Sequence, residues 1–227
     1  EVCDEILVLD SFSTDQTEAI CQNYGVRFEQ HPFEGHIQQK NEALQRAAHP
    51  WVLSLDADEA LSPELKNAIL TLKGTEPQQG GYSMNRLTNY CGKWIHHSGW
   101  YPDVKLRLVY KDNAYWGGIN PHDQLLLKGN AHQQHLNGNL LHYSYYTKED
   151  HYKQIAYFSK IAAKELFDRG VKSSAFKITI KICAQFIKSY LLKKGFLDGK
   201  AGWHIATRSA YATMQKYQLL QKLWKNA

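Results

Sequence analysis

The hydrophobic positions of the first 73 residues alternate between short apolar runs and helix-spaced patterns. The apolar runs lie at residues 5–10, 26–30 and 51–55, and they predict three strands. Helices are predicted between them, and a further helix is predicted to open at Ser62-Pro63 and to end near Lys73. Strands that alternate with helices are typical of a parallel α/β sheet. We expect residues 51–55 to be the central strand, buried on both faces.

After residue 81 the pattern changes to strands without intervening helices. These strands are predicted at residues 82–87, 105–110, 124–127 and 140–143. Turn-rich aromatic loops separate them, which indicates mixed or antiparallel pairing. From residue 148 onward apolar residues recur at helix spacing. We therefore expect an α/β domain over residues 1–147 and a helical, basic region over residues 148–227.

The composition is that of a globular protein, because 43% of the 227 residues are hydrophobic. The four cysteines include no Cys-x-x-Cys pair, which argues against a disulfide framework and against a zinc ribbon. No apolar run approaches the ~18 residues of a membrane-spanning helix.

The charge is distributed unevenly along the chain. Residues 1–171 carry 16 Lys and Arg against 21 Asp and Glu, whereas residues 172–227 carry 11 against one. Between Lys172 and Lys194 there are six lysines and no acid, on a segment with an apolar face. This pattern fits a helix that lies on an anionic membrane surface, and it equally fits a packed amphipathic helix with a solvated lysine face.

Candidate chemistry follows the strand at 51–55 directly. Asp56, Asp58 and Glu59 come in one short stretch. The carboxyl end of a strand in an open α/β sheet is where ligands bind. Hard carboxylate oxygens suit Mg²⁺ or Mn²⁺, which substrate phosphates then complete. The alternative is that the three acids end the strand and cap the helix that Ser62-Pro63 opens.

The aromatic loops between residues 94 and 122 allow two interpretations. They hold Trp94, Trp100, Tyr101, Trp116, His96, His97 and His122. Such rings are suited to stack on sugars, but large aromatic side chains are also commonly buried as core. The histidines lack the i, i+4 spacing of a helical zinc motif, which argues against zinc.

Several motifs follow one another along the chain in a fixed order. They are the stretch from Asp10 to Thr17, Gln39-Lys40-Asn41, Asp56-Ala57-Asp58-Glu59, Gly99-Trp100-Tyr101-Pro102-Asp103, Arg107-Leu108 and His122-Asp123. In this order they resemble the family-2 inverting glycosyltransferases, closest to the lipopolysaccharide core-biosynthesis glucosyltransferase branch, which residues 190–199 also resemble. The resemblance covers nearly the whole chain.

The resemblance implies a GT-A-like α/β fold, a mixed sheet flanked by helices with a C-terminal helical extension. The chain departs from the family pattern at two points. Family members begin with one more strand and helix, so we expect that this chain lacks them. They also usually have His-Glu where this sequence has His122-Asp123.

The resemblance also implies roles for individual residues on the donor side. Asp10 faces the nucleotide base, Lys40 and Asn41 line the nucleotide pocket, Asp56 faces the ribose, and Asp58 binds Mg²⁺ or Mn²⁺. The implied donor is the nucleotide sugar UDP-glucose.

A second set of residues is expected on the acceptor side. We assign Asp123 as the general base that takes the proton of the acceptor hydroxyl, with Asp103 in reserve. Arg107, Trp100 and His122 are assigned to the acceptor or the diphosphate, although Arg107 is also explained by an ion pair between strands.

Together these expectations describe a metal-dependent inverting hexosyltransferase with an Asp-x-Asp motif, Asp56-Ala57-Asp58. Its acceptor is a lipid-linked oligosaccharide of the lipopolysaccharide core, and it works peripherally at the inner face of the bacterial cytoplasmic membrane, with no nucleic acid as partner. The alternatives are a non-catalytic glycan- or membrane-binding module and a metal-dependent nucleotidyltransferase.

Overall fold

The computed structural model describes residues 2–75, 80–119 and 122–227, apart from the side chain of His122. The described strands are β1 (Leu7–Asp10), β2 (Arg27–Gln30), β3 (Trp51–Leu53), β4 (Glu59–Leu61), β5 (Gly80–Tyr90), β6 (Lys93–Trp94), β7 (Asp103–Tyr110), β8 (Ala114–Ile119), β9 (His122–Leu127) and β10 (His132–Tyr145). The α-helices are α1 (Thr17–Asn23), α2 (His36–Arg46), α3 (Pro63–Lys73), α4 (Lys148–Asp168), α5 (Ala175–Ile187) and α6 (Gly199–Lys225). A π-helical segment, Lys188–Leu192, and a 3₁₀ turn, Gly195–Asp198, join α5 to α6.

The strands form a mixed sheet system flanked by helices, which confirms the predicted fold class. Strands β1 and β2 pair in parallel, with Leu7 opposite Arg27. Six further strands form one sheet in the order β3-β7-β5-β10-β4, with β6 paired to β5. Strands β8 and β9 pair in antiparallel fashion, so that Gly118 lies opposite Asp123.

The chain groups into two compact units. The first comprises Glu1–Asn85 with Val104–Leu140, and the second comprises Arg86–Asp103 with Leu141–Ala227. The long strands β5 and β10 contribute residues to both. The division into domains 1–147 and 148–227 that the sequence suggests stays a prediction.

The predicted alternation of strands and helices holds through β3, whereas the unpredicted β4 comes between β3 and α3. The prediction for residues 51–55 is wrong in the length of the strand, its burial and its place in the sheet. Strand β3 ends at Leu53, and its side chains are only partly buried. It lies at one end of the strand order and pairs antiparallel with β7, where Trp51 lies opposite Tyr110. The apolar run resembled a fully buried parallel strand because apolar content alone does not specify the partner strand.

The first unit has two apolar clusters. Leu65 and Ile69 of α3 pack with Tyr82, Met84 and other sheet residues. Helix α3 begins where the sequence predicts, because the Ser62 hydroxyl accepts a hydrogen bond from the Leu65 N–H (3.3 Å) and Pro63 fills the first turn. Leu44 of α2 packs with Val109, Trp116 and Leu125 in the second cluster. This second cluster fixes α2 against the strands that carry the candidate site.

In the second unit α6 packs against both α4 and α5. Tyr217 and Leu220 of α6 form an apolar cluster with Ala163 and Ile178. The 3₁₀ turn Gly195–Asp198 packs closely against the first turn of α6. A Cβ on Gly202 would lie only 1.8 Å from the carbonyl oxygen of Gly195, so glycine is required there. The buried Asp198 carboxylate accepts hydrogen bonds from the N–H groups of His96 (3.2 Å) and His97 (3.0 Å), which ties this turn to the loop that precedes Trp100.

Candidate active site

Two acids of residues 56–59, Asp56 and Glu59, are held by ion pairs within the first unit. The loop between β3 and β4 carries Asp56 and Asp58, Glu59 is the first residue of β4, and Arg107 lies on β7, which pairs with β3. The Arg107 guanidinium donates to Asp56 (2.9 Å) and to Glu59 (2.7 Å). Arg107 is 4% exposed, so this ion pair is buried and little screened by solvent.

Glu59 fixes the shape of this loop. Its side chain is fully buried and also accepts a hydrogen bond from the backbone N–H of Asp56 (3.0 Å). One carboxylate therefore ties Arg107 to the start of the Asp56-Ala57-Asp58 segment. These acids do not cap α3, because Ser62 makes that cap.

Lys40 connects the acidic loop to the predicted base. From α2 its ammonium group lies 2.7 Å from an Asp56 oxygen and 2.7 Å from an Asp123 oxygen. It also lies over the Trp116 ring, 4.3 Å from the ring centre. We call these five charged residues the Lys40 cluster: Lys40, Asp56, Glu59, Arg107 and Asp123. Its formal charge is −1, since three carboxylates face two cations.

Asn41 holds the strand beside this cluster. Its side-chain amide donates to the Trp116 carbonyl (2.8 Å) and accepts from the Trp116 N–H (2.9 Å). The amide thus replaces a strand partner for β8 and keeps the Trp116 ring below Lys40. A direct contact between Asn41 and a nucleotide stays a prediction.

Asp10 lies at the carboxyl end of β1 and is 8% exposed. Its carboxylate accepts from the Ser13 hydroxyl (2.5 Å) and from the Ser13 N–H (2.8 Å). The hydrogen bonds from Ser13 hold the pKa of the Asp10 carboxyl below its usual range. Asp10 is therefore a fixed anion, and its predicted contact with the nucleotide base stays a prediction.

The carboxylates of the loop between β3 and β4 are of the type that holds a hard divalent ion, and the assignment of Asp58 to that ion stays a prediction. Asp58 offers carboxylate oxygens of the kind that Mg²⁺ and Mn²⁺ prefer. Asp56 fits less well, because each of its oxygens already accepts from a cation, Lys40 or Arg107. Among the residues that the structure describes, no three side chains of metal-binding type gather into a site. Asp58 thus fits an ion that substrate phosphates complete, as is usual for Mg²⁺.

The predicted residues of the second unit have structural partners of their own. Asp103 accepts from the Arg86 guanidinium at 3.0 and 2.8 Å. Trp100 is partly buried and packs against Tyr145 and Tyr90, with ring centres 5.5 and 5.8 Å apart. Trp100 therefore packs as part of the core, and its contact with the acceptor stays a prediction. His122 belongs to the first unit, and its side chain lies outside the described part of the chain.

The observed role of Glu59 is not predicted from the sequence, which shows it only as one of three adjacent acids, although its spacing of three residues from Asp56 suits the observed turn. For Trp116, which is 3% exposed, the sequence leaves a sugar platform and core packing open, and the structure has it as core beneath Lys40. Arg107 makes an ion pair, which is the alternative role that its sequence position allows, and its contact with a diphosphate stays a prediction.

Comparisons with known proteins identify the family. A sequence model described as Glycosyl transferase family 2 matches residues 3–125. An uncharacterized glycosyltransferase of Rickettsia typhi is 28% identical over 233 residues, which covers 98% of this chain and 79% of that protein. The lipopolysaccharide core biosynthesis glycosyltransferase LpsC of Rhizobium meliloti is 24% identical over 229 residues, which covers 98% of this chain and 84% of LpsC.

Among solved structures, residues 1–349 of TarS from S. aureus align with a TM-score of 0.40 and 16% identity, over 98% of this chain and 82% of that one. The family assignment rests on the sequence match, which spans more than half of the 227 residues and includes the whole Lys40 cluster. This chain therefore belongs to glycosyl transferase family 2 and is a glycosyltransferase.

Proposed function

We propose that this chain transfers glucose from UDP-glucose to a lipid-linked oligosaccharide of the lipopolysaccharide inner core, with inversion at the anomeric carbon. The observation that carries the proposal is the position of Lys40, whose ammonium group lies 2.7 Å from both Asp56 and Asp123. One side chain thus joins the acid expected to face the donor to the acid expected to face the acceptor. A transfer reaction needs both at one reaction centre.

In the proposed reaction the acceptor hydroxyl attacks the anomeric carbon in line with the departing diphosphate. Asp123 takes the proton of that hydroxyl as the new bond between carbon and oxygen forms. The bond between the anomeric carbon and the phosphate oxygen breaks, and its electron pair leaves with the nucleoside diphosphate. Attack from the side opposite the leaving group inverts the configuration.

In the proposed reaction Lys40 exchanges partners before Asp123 acts as a base. While the ammonium group binds Asp123, it occupies one of the two carboxylate oxygens, Oδ2. A donor diphosphate offers a denser negative charge than a single carboxylate, so Lys40 moves toward it and releases Asp123. Donor binding thereby prepares the base for the acceptor.

Asp58 would hold the divalent ion, and a bound Mg²⁺ or Mn²⁺ would stabilise the negative charge that develops on the leaving diphosphate. Arg107 and Glu59 keep the loop that carries Asp58 in a fixed shape, as their buried contacts indicate. Asp10 contributes a fixed acceptor for the nucleotide base.

The acceptor and the location are supported by separate observations. The relative LpsC is named as a lipopolysaccharide core biosynthesis glycosyltransferase, which supports the same acceptor class here. None of the helices in the described residues has both the length and the apolarity needed to cross a membrane. We propose peripheral attachment to the inner face of the bacterial cytoplasmic membrane, because residues 172–227 carry 11 Lys and Arg against one acid, which favours an anionic surface.

A screen of nucleotide sugars by thermal unfolding, with and without Mg²⁺ or Mn²⁺, tests the donor and the ion. We expect UDP-glucose to raise the melting temperature more in the presence of the ion. Asp58→Asn should abolish that metal-dependent increase, because the amide lacks the ligand charge, whereas Asp10→Ala should weaken donor binding with or without metal. An unchanged response to metal in Asp58→Asn would refute the metal assignment. Stabilisation without any transfer to acceptor would support a binding module instead.

A further inference from the structure

The outer face of α5 and the following π-helical segment carries a continuous row of exposed apolar side chains. We call it the outer stripe: Phe176, Ile180, Cys183, Ile187 and Leu191. All five are exposed, and the four larger ones are between 45% and 75% exposed. Their spacing of four, three, four and four residues places them along one side of a helix. The stripe is therefore one surface and not a set of scattered contacts.

The outer stripe is not needed for the packing of the second unit. The opposite face of α5 provides the core contact, because Ile178 is 8% exposed and packs in the cluster with Ala163, Tyr217 and Leu220. A groove of about 440 Å³ lies beside the stripe, lined by Ile182, Cys183, Phe186, Ile187, Thr207 and Ala210. Cys183 and Ile187 belong to both features, so the apolar surface extends from the stripe into the groove.

The surroundings of the outer stripe are strongly basic. Residues 172–197 contain six lysines and no Asp or Glu. Two of these lysines are directed to α6, since Lys181 donates to the Tyr217 hydroxyl (2.6 Å) and Lys172 lies over the Trp224 ring. Lys177 and Lys188 are exposed on the same helical segment as the stripe. The partner must therefore accept apolar side chains and neutralise positive charge at the same time.

We propose that the outer stripe inserts into the interface of an anionic lipid bilayer, with Lys177 and Lys188 at the level of the headgroups. A second copy of the chain fits poorly, because pairing two such surfaces would bring two sets of lysines together. A purely electrostatic partner leaves the apolar residues unexplained. An anionic bilayer satisfies both, because acyl chains take up the apolar side chains while headgroups neutralise the lysines.

This inference deepens the proposed function, in which the acceptor is lipid-linked, by assigning the surface that contacts the membrane. It does not depend on the reaction chemistry. Vesicle binding and donor binding are separate measurements on the same protein, so a failure of one is distinguishable from a failure of the other.

Flotation with vesicles tests the proposal on the full 227-residue chain. We expect binding to vesicles of phosphatidylcholine with phosphatidylglycerol, weaker binding to phosphatidylcholine alone, and partial loss in high salt. The double variant Phe176→Ser, Ile180→Ser should lower binding to anionic vesicles at least about tenfold, because neither apolar side chain is then present to be buried among the acyl chains. Lys177→Glu and Lys188→Glu should each lower binding to anionic vesicles about fivefold or more.

Ile20→Ser is the matched control, because Ile20 on α1 is 52% exposed and Ile180 on α5 is 51% exposed. This variant should bind vesicles as the unaltered chain does. Circular dichroism melts establish that the variants are folded. Absence of binding to anionic vesicles, equal losses in the control, or unchanged binding in Phe176→Ser with Ile180→Ser would overturn the proposal. A change from dimer to monomer in that variant, measured by sedimentation without lipid, would also overturn it in favour of a contact between copies.

Discussion

At the scale of single residues, the function of the site depends on which carboxylate takes a proton. Asp123 is 12% exposed at its side chain and shares Lys40 with Asp56. Asp103 belongs to the second unit and pairs with Arg86. The two acids therefore differ in their surroundings, although both follow from the same sequence resemblance.

We expect Asp123→Asn to lower turnover about 10²- to 10⁴-fold with little change in donor affinity, because a general base acts mainly in the transition state. Donor binding by calorimetry and transfer by product release should therefore separate. Asp123→Glu should keep measurable activity, since the charge survives and the family usually has Glu there.

Asp103→Asn is the matched control for Asp123→Asn. It also removes one partner of an ion pair with a basic residue, Arg86, but it should keep most of the turnover. The opposite result, an active Asp123→Asn and an inactive Asp103→Asn, would transfer the role of base to Asp103.

At the scale of elements, the loop between β3 and β4 depends on one buried ion pair. Glu59→Gln removes the charge that faces Arg107 while it keeps the shape of the side chain. Removal of one partner from a buried pair typically costs about 3–5 kcal/mol, and Arg107 retains Asp56, so we expect a loss of about 2–3 kcal/mol in unfolding free energy. Urea titration measures this difference.

Glu42→Gln is the control for Glu59→Gln. Glu42 pairs with Arg46 on α2 at the same distance of 2.7 Å, but both side chains are partly exposed. Such surface pairs contribute below about 1 kcal/mol. If the two substitutions cost the same, the loop does not depend on burial of the Glu59–Arg107 pair.

The same loop illustrates what the sequence could predict. Hydrophobic periodicity predicts the order of strands and helices through β3, and the Ser62-Pro63 pair predicts the start of α3, because these signals act over a few residues. It does not predict the antiparallel pairing of β3 with β7, since that partner is more than 50 residues away along the chain. Strand β4 was missed for a related reason, because a three-residue strand carries too few positions to show a period.

The candidate site shows the same limit. Asp56 and Asp58 are recognisable because their signal is contiguous in the sequence. The meeting of Lys40 with Asp123 joins residues 83 positions apart, and no local pattern encodes it. The burial of Glu59 and the position of Trp116 under Lys40 likewise depend on how β7, β8 and α2 come together.

At the scale of the whole molecule, stability should depend on pH through a buried histidine. His151 on α4 is 6% exposed, and its Nδ1 lies 3.2 Å from the Tyr90 hydroxyl. The rings of Trp100 and Tyr145 also pack against it. Burial lowers the pKa of His151 to about 4, and the positive charge of Arg208 acts in the same direction. Burial likewise raises the pKa of Tyr90 to about 12, so its hydroxyl stays neutral.

We expect the free energy of unfolding to fall by about 2–3 kcal/mol between pH 7 and pH 4.5 through His151 alone. The sign follows from proton binding, because the unfolded histidine takes up a proton near pH 6.5 while the folded one stays neutral down to about pH 4. Acid therefore favours the unfolded chain throughout this range. Carboxylates with lowered pKa values, such as Asp10, add their own loss of stability mainly below pH 4.5. Urea titrations at several pH values measure the slope.

His151→Gln should remove most of this slope, because glutamine does not titrate and is polar enough to face the Tyr90 hydroxyl. His204→Gln is the control. The pKa of His204 is also lowered by burial, but His204 is less buried than His151 and its variant should keep the larger part of the slope. A stability that is flat between pH 7 and pH 4.5, or a slope that persists in His151→Gln, would show that His151 does not stay neutral in the folded protein. A slope that disappears only in His151→Gln would make one buried ring the main acid-sensitive point of the fold.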